Sequence, residues 1–452
     1  PAGFVSYREI GNEDLFGVLK DMELANLVRG KSSREILLIT GIYAREDGTG
    51  DSGVIRDAPQ QLLVEVLAKE LEKNYSFALF VAERGTVTKE VVYVLERQGF
   101  IRPHMADEND KRTIYMVDMH EPLMFLHNLD TTIKEPFASN PAVLDAVEKN
   151  HKKLQIAMTK LYPGNLVLSL SSGIMYHRLV DRITALNDVP REPLVPRRLG
   201  KNMCVPFGKI LRGKVVPNTV TKTLHTDKVY EPDLNSFTIE PFPYYSPLKS
   251  QIETIKSFDR PVILVDDLVH TANRLQVLVP QLREDGIPIK KVVVGVLSGY
   301  GRDLMQCLKV PVESIYSMPN LRQWFVESTL YPFIGGDTVR REEMKVAGLQ
   351  PSINMILPYA TPRLSGCSRE ALVEFSACCI ENSRDLFQVL EAEYRKMYAK
   401  NLTLSRLSEA VILPLCPDKG SCMEYDENLA ASVYLENDLE TLWRMKEFLI
   451  KG

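Results

Sequence analysis

One stretch limits the fold of this chain more than any other: Pro261-Val-Ile-Leu-Val-Asp-Asp267, an apolar run that ends in two acids. It reads as a strand buried on both faces, as in a parallel sheet. Leu275, Leu278, Val279 and Leu282 follow at i, i+3, i+4 and i+7 and mark one helix face, which Gly286 ends. Lys291-Val-Val-Val-Gly-Val-Leu297 repeats the strand pattern, and Ser314–Ser317 gives a further short strand. Apolar strands alternating with helices point to a doubly wound parallel sheet, whose ligands sit beyond the C-terminal strand ends. Side chains alternate along a strand, so Asp266 and Asp267 face one ligand only if the chain turns at them. His270-Thr-Ala-Asn273 opens the following helix, and its free N–H groups with the Thr271 hydroxyl form a nest for a phosphate. The plain alternative is an exposed pair of helix-capping acids.

The same strand–turn–helix pattern occurs earlier. Asn165-Leu-Val-Leu-Ser-Leu170 leads into Ser171-Ser172-Gly173 and a helix with Met175, Leu179, Val180 and Ile183 on one face. This unit is expected to open the doubly wound sheet. Between the two units runs a basic segment carrying Arg197, Arg198, Lys201, Lys209, Arg212, Lys214, Lys222 and Lys228, which reads as an irregular loop in its second half. Upstream, Ile36–Tyr43, Phe77–Val81 and Thr113–Met119 read as strands, with helices between them and a polar loop at Arg45–Gly53. Downstream, Arg369–Tyr398 and Leu429–Ile450 read as long amphipathic helices that pack on the sheet domain or on a second subunit. The expected division is 1–125, 126–340 and 341–452, with a mixed α/β segment, a parallel-sheet α/β domain and a mainly helical C-terminal region.

A chain of 452 residues supports two or three cores. A net charge of -4 and a pI near 6.1 argue against wholesale binding of nucleic acid or anionic membrane. No stretch is long and apolar enough for a bilayer. The seven cysteines form no C-x-x-C pair, and Cys416 to Cys422 lacks the histidines of a zinc site, so reduced thiols in a cytoplasmic protein are expected. The opening at Pro1 in a strand-like segment suggests a piece cut from a longer polypeptide.

The run Val262–Arg274 resembles the phosphoribosyl-pyrophosphate signature of type I phosphoribosyltransferases, over about 160–335. That resemblance implies that Asp266 and Asp267 hold the ribose hydroxyls and that Thr271, Ala272, Asn273 and Arg274 hold the 5-phosphate. It puts His270 where purine-specific members carry an acid/base aspartate, making His270 and Asp267 the catalytic candidates. Ser171, Ser172 and Gly173 would form the pyrophosphate loop, and Lys209, Arg212 and Lys214 would belong to a mobile hood. Trp324 and Phe325, with Tyr331, would stack a flat ring, and Arg322 or Asp337 would read its edge. Mg²⁺ is expected through the ligand's pyrophosphate, with no protein metal ligands. Ala272 and Asn273 replace the usual glycines, and Arg274 replaces a Ser/Thr.

Residues 3–120 resemble the later part of a GNAT-type acetyltransferase. Asp57 and Pro59 stand where that family has glycines, and Pro59 has no N–H to offer coenzyme A. The leading expectation is a phosphoribosyltransferase that uses phosphoribosyl pyrophosphate and a nucleobase-like or other nitrogen acceptor. The alternatives are a non-catalytic ribose-phosphate or nucleotide sensor or scaffold, and acetyl transfer by the first segment.

Overall fold

The computed structural model describes residues 3–32, 35–44, 58–73, 75–83, 85–103, 112–196, 198–243, 245–341, 346, 348–419 and 424–451. The loop expected at 45–53, Asp57, Arg197 and Cys422 lie outside them. In chain order the first elements are β1 (Gly3–Ile10), α1 (Leu15–Leu19), α2 (Met22–Lys31), β2 (Ile36–Ala44), α3 (Ala58–Glu70), β3 (Phe77–Glu83), α4 (Lys89–Arg97) and β4 (Arg112–His127). There follow α5 (Pro141–Leu161), β5 (Asn165–Ser171), α6 (Ser172–Leu186), β6 (Met203–Pro206), β7 (Val220–Thr221), β8 (Thr226–Tyr230), β9 (Phe237–Pro241) and α7 (Leu248–Lys256). Next come β10 (Val262–Val269), α8 (Asn273–Glu284), β11 (Ile289–Ser298), α9 (Gly299–Cys307), β12 (Val312–Met318) and β13 (Gln323–Val326). The chain ends through β14 (Asp337–Val339), β15 (Gln350–Ile353), α10 (Arg369–Tyr398), β16 (Leu415–Pro417) and α11 (Ala431–Lys451).

The architecture is α/β, with three sheets. The central one has the order β12-β11-β10-β6-β7 and is parallel throughout. Its strands are apolar on both faces because helices cover both. Leu264, Val292 and Val294 pack with Leu275, Leu278 and Val279 of α8 on one side. Ile263, Val265, Val293 and Val296 pack with Leu179 and Ile183 of α6 on the other. Burying such strands removes apolar area from water at roughly 25 cal/mol per Å².

The strand expected to open this sheet lies elsewhere. β5 pairs in parallel with β4, Leu123 to Val167 through His127 to Ser171, in the sheet β1-β2-β3-β4-β13. Its apolar face finds partners in Met124 and Leu126, while α6 packs against the central sheet. The place beside β10 goes to β6, whose Cys204 and Val205 are fully buried. The basic segment is thus not simply a loop: it contains β6, β7 and the start of β8. Residue 125 falls within β4, which also pairs in parallel with β13, so the first sheet draws on strands from both sides of that position.

The third sheet, β16-β15-β14-β8-β9, takes two strands from beyond residue 341, so that region is not helices alone. α10 matches the expected Arg369–Tyr398, begins with Ser368 accepting the Ala371 N–H, and buries Phe375, Phe387 and Leu390 against α5, α11 and this sheet. Among the described residues no helix is long and apolar enough to cross a membrane.

Candidate functional site

β10 carries Asp266 and Asp267 to the C-terminal edge of the central sheet. The expected turn at the acids is absent: the strand runs on to Val269, with Leu268 still paired to Val296. The carboxylates nevertheless converge, because the loop after β6 passes between them at Gly208. A Cβ added to Gly208 would stand 2.5 Å from Asp267 Oδ1 and 2.8 Å from Asp266 Oδ1. The backbone N–H groups of Lys209 and Ile210 donate to Asp267 Oδ2 and Oδ1 at 2.6 and 3.0 Å. Asp266 turns back to accept the Asp267 N–H at 2.9 Å and faces Arg274 across 3.7 Å.

Burial pushes the Asp266 carboxyl up to about 7; Arg274 opposes that rise and Asp267 adds to it. The unfolded chain ionises Asp266 at an ordinary carboxylate pKa, whereas the folded state resists until near pH 7. The contribution of Asp266 to stability is therefore fully present below about pH 4 and is lost as pH climbs from 3.8 toward 7. Asp266→Asn is expected to melt above the wild type at pH 8, by as much as roughly 4 kcal/mol of stability. That advantage should vanish near pH 4, and thermal melts at the two pH values check it.

α8 begins at Asn273, with Ala272 as its N-cap at φ 52°, in the left-handed region. Ala272 offers no capping side chain, so among the described residues the first N–H groups of α8 have no side-chain cap. Ala272 occupies a conformation that suits glycine, the residue the resemblance leads one to expect there. Ala272→Gly is accordingly expected to stabilise the fold by about 1 kcal/mol, read as a higher urea midpoint. Asn273 donates to Thr271 Oγ1 at 2.8 Å, which closes the turn.

Lys209 and Arg274 border the same cavity as this turn, and Arg212 repels both electrostatically. Lys209 is held below its ordinary pKa by burial, with Arg212 and Arg274 adding repulsion against the pull of Asp337 and Asp227. Arg212 is disfavoured in the same way by burial and by Arg274, and its Nε atom is buried without a hydrogen-bond partner. Cations that repel one another at a helix N-terminus suit an anion.

Lys209 and Arg274, but not Arg212, border a cavity of about 530 Å³ that also takes in Asp266, Asp267, His270, Thr271, Ala272, Asn273, Trp324 and Phe325. His270 Nδ1 lies 2.8 Å from Ser298 Oγ, and its ring leans on Trp324 with centroids 4.9 Å apart. Burial lowers its pKa, which favours the neutral imidazole.

Other expected residues lie apart. Ser171 caps α6 by accepting the Ile174 N–H and borders a different cavity, and Ser172 is buried there at the start of α6 with Gly173 beside it. Lys214 is exposed, with Nζ 4.3 Å from the centre of the Tyr176 ring, and Arg212 lies over Phe242. Tyr331 is a fully buried core residue, and Arg322 is bound to Glu121 over Tyr162, so neither borders the cavity. Sequence reasoning missed Gly208, for which the small-residue break after Cys204-Val-Pro206 was the available signal. It also missed Met355, Arg363 and Leu364, which close the cavity from beyond residue 341. The carboxylates among the cavity's lining residues are Asp266, Asp267 and Asp337, and a Mg²⁺ arriving on a pyrophosphate would need few protein ligands.

No protein-family model and no curated protein matches this chain. Among solved structures, the crystal structure of a purine phosphoribosyltransferase from Pyrococcus horikoshii Ot3 is similar over 34% of this chain and 87% of its own, at 13% identity and a TM-score of 0.22. A likeness this distant fixes neither fold nor substrate.

Proposed function

We propose that the cavity at the end of β10 binds a ribose 5-phosphate group and serves phosphoribosyl transfer from phosphoribosyl pyrophosphate to a nitrogen acceptor. The observation that carries this reading is that two carboxylates, the N-terminal turn of α8 and the cations Lys209 and Arg274 all border one cavity. The sugar's vicinal hydroxyls would donate to Asp266 and Asp267, and its phosphate would sit on the α8 amides beside Arg274. The C1–O bond breaks, and pyrophosphate leaves with the electron pair. Lys209, which borders the same cavity, would offset the charge that develops on it. The acceptor nitrogen forms the C1–N bond and passes its proton to neutral His270. Trp324 offers a face for a planar acceptor. Bound Mg²⁺ would supply charge neutralisation on the pyrophosphate.

One observation favours a second reading, a ribose-phosphate sensor without chemistry. Both oxygens of Asp267 are already engaged by backbone N–H groups, which holds this carboxylate as a fixed binding group. Calorimetry with phosphoribosyl pyrophosphate and Mg²⁺, paired with a pyrophosphate-release assay across nucleobases, separates the two. Binding with release supports transfer, binding without release supports the sensor, and no binding removes both.

A further inference from the structure

A second cluster of ligating side chains lies outside the β10 cavity. His127 closes β4, Glu327 directly follows β13, and His151 lies on α5. Strand register brings the first two level, since β13 sets Val326 beside Leu126 and β5 sets Ser171 beside His127. α5 crosses these strand ends and points His151 and Gln155, one turn apart, at them. One ligand atom from each of His127, His151 and Glu327 lies within 4.8 Å of the other two. His151 Nδ1 is 2.5 Å from Glu327 Oε1, and the two imidazoles meet edge to face with centroids 4.3 Å apart.

Two further observations separate this cluster from ordinary core packing. Glu327 is wholly buried, and the N–H of Leu129 reaches its Oε2 at 3.3 Å, so a carboxylate has been placed in the interior to face two histidines. His127 Nε2 meets Ser169 and Gln155, yet its Nδ1 is buried without any hydrogen-bond partner. An unanswered buried ring nitrogen is costly, which sets His127 apart from a fully satisfied core histidine. Beside the cluster opens a cavity of about 450 Å³, bordered by α3, α5 and the end of β5 and including His127, His151, Ser169 and Ser171.

Two imidazoles and one carboxylate from three separate elements, with space on the open side, form the donor set of zinc and related ions that keep a position for water or substrate. We propose that His127, His151 and Glu327 bind one divalent transition-metal ion of the zinc class, with a free coordination position facing this cavity. The ion takes the place of the proton shared between His151 and Glu327. This cavity has no lining residue in common with the one at β10, so the metal site stands apart from the ribose-phosphate reading.

The test uses the full chain, stripped with a chelator and then titrated with Zn²⁺ or Co²⁺. About one ion per chain is expected, with visible cobalt bands of four- or five-coordinate geometry. His127→Asn, His151→Gln and Glu327→Gln should each weaken uptake at least about tenfold, with circular dichroism and melts recorded alongside. A wild-type chain that takes up no ion, or folded variants that bind as well as it does, overturns the proposal. Should the variants fail to fold, the wild type decides alone. Zn²⁺-induced shifts of the His127 and His151 imidazole signals in NMR support the site, and unshifted signals overturn it.

Discussion

Arg274→Ala is expected to weaken ribose 5-phosphate binding ten- to a hundredfold while leaving the protein folded. Arg274 stands in the first turn of α8 and is the cation that faces Asp266 across the turn. A charge-assisted hydrogen bond to phosphate contributes about 1.5–3 kcal/mol, which corresponds to that loss of affinity. Losing the arginine leaves Asp266 without its opposing charge. The carboxyl answers by keeping its proton over a wider pH range, because burial already favours the neutral form. Calorimetry with ribose 5-phosphate measures the affinity, and circular dichroism follows the fold. A variant that binds as tightly as the wild type would remove the phosphate from the α8 N-terminus.

Gly208→Ala is expected to damage both stability and binding. The new methyl group would lie 2.5 Å from Asp267 Oδ1, and that carboxylate cannot simply rotate away while the Lys209 and Ile210 amides hold it. Either the loop after β6 retreats or the acid gives up its two N–H partners. Overpacking of this kind costs about 1–3 kcal/mol, and leaving buried donors unpaired adds to it. Urea unfolding should show a lower midpoint, and ribose 5-phosphate affinity should fall by about tenfold or more, in line with a misplaced binding group. An alanine variant with wild-type stability would mean that the loop does not press against the acids.

Those two residues also mark where the sequence was readable and where it was not. β10, α8 and β11 announce themselves through local period, because a strand buried on both faces is apolar throughout and the helix face repeats at i, i+3, i+4 and i+7. α10 was equally plain. Partner choice was not. Nothing within Asn165–Ser171 says that β5 joins β4 rather than β10, since any parallel apolar neighbour satisfies the same pattern. The third sheet was hidden for a different reason. β14, β15 and β16 are three to four residues long, too short to display alternation, and their pairing joins segments distant in the chain. At the site, the acids, His270 and the turn from Thr271 to Arg274 could be read as one group because they lie close together in the chain, and they do border one cavity. The approach of Gly208 and the cluster of His127, His151 and Glu327 could not, because each arises from elements that meet only after folding.

A crystal structure of the chain soaked with ribose 5-phosphate tests the central claim most directly. The phosphate should rest on the backbone amides of Asn273 and Arg274, with the sugar hydroxyls on Asp266 and Asp267. Density for the ligand elsewhere, or an empty β10 cavity at saturating ligand, would contradict it.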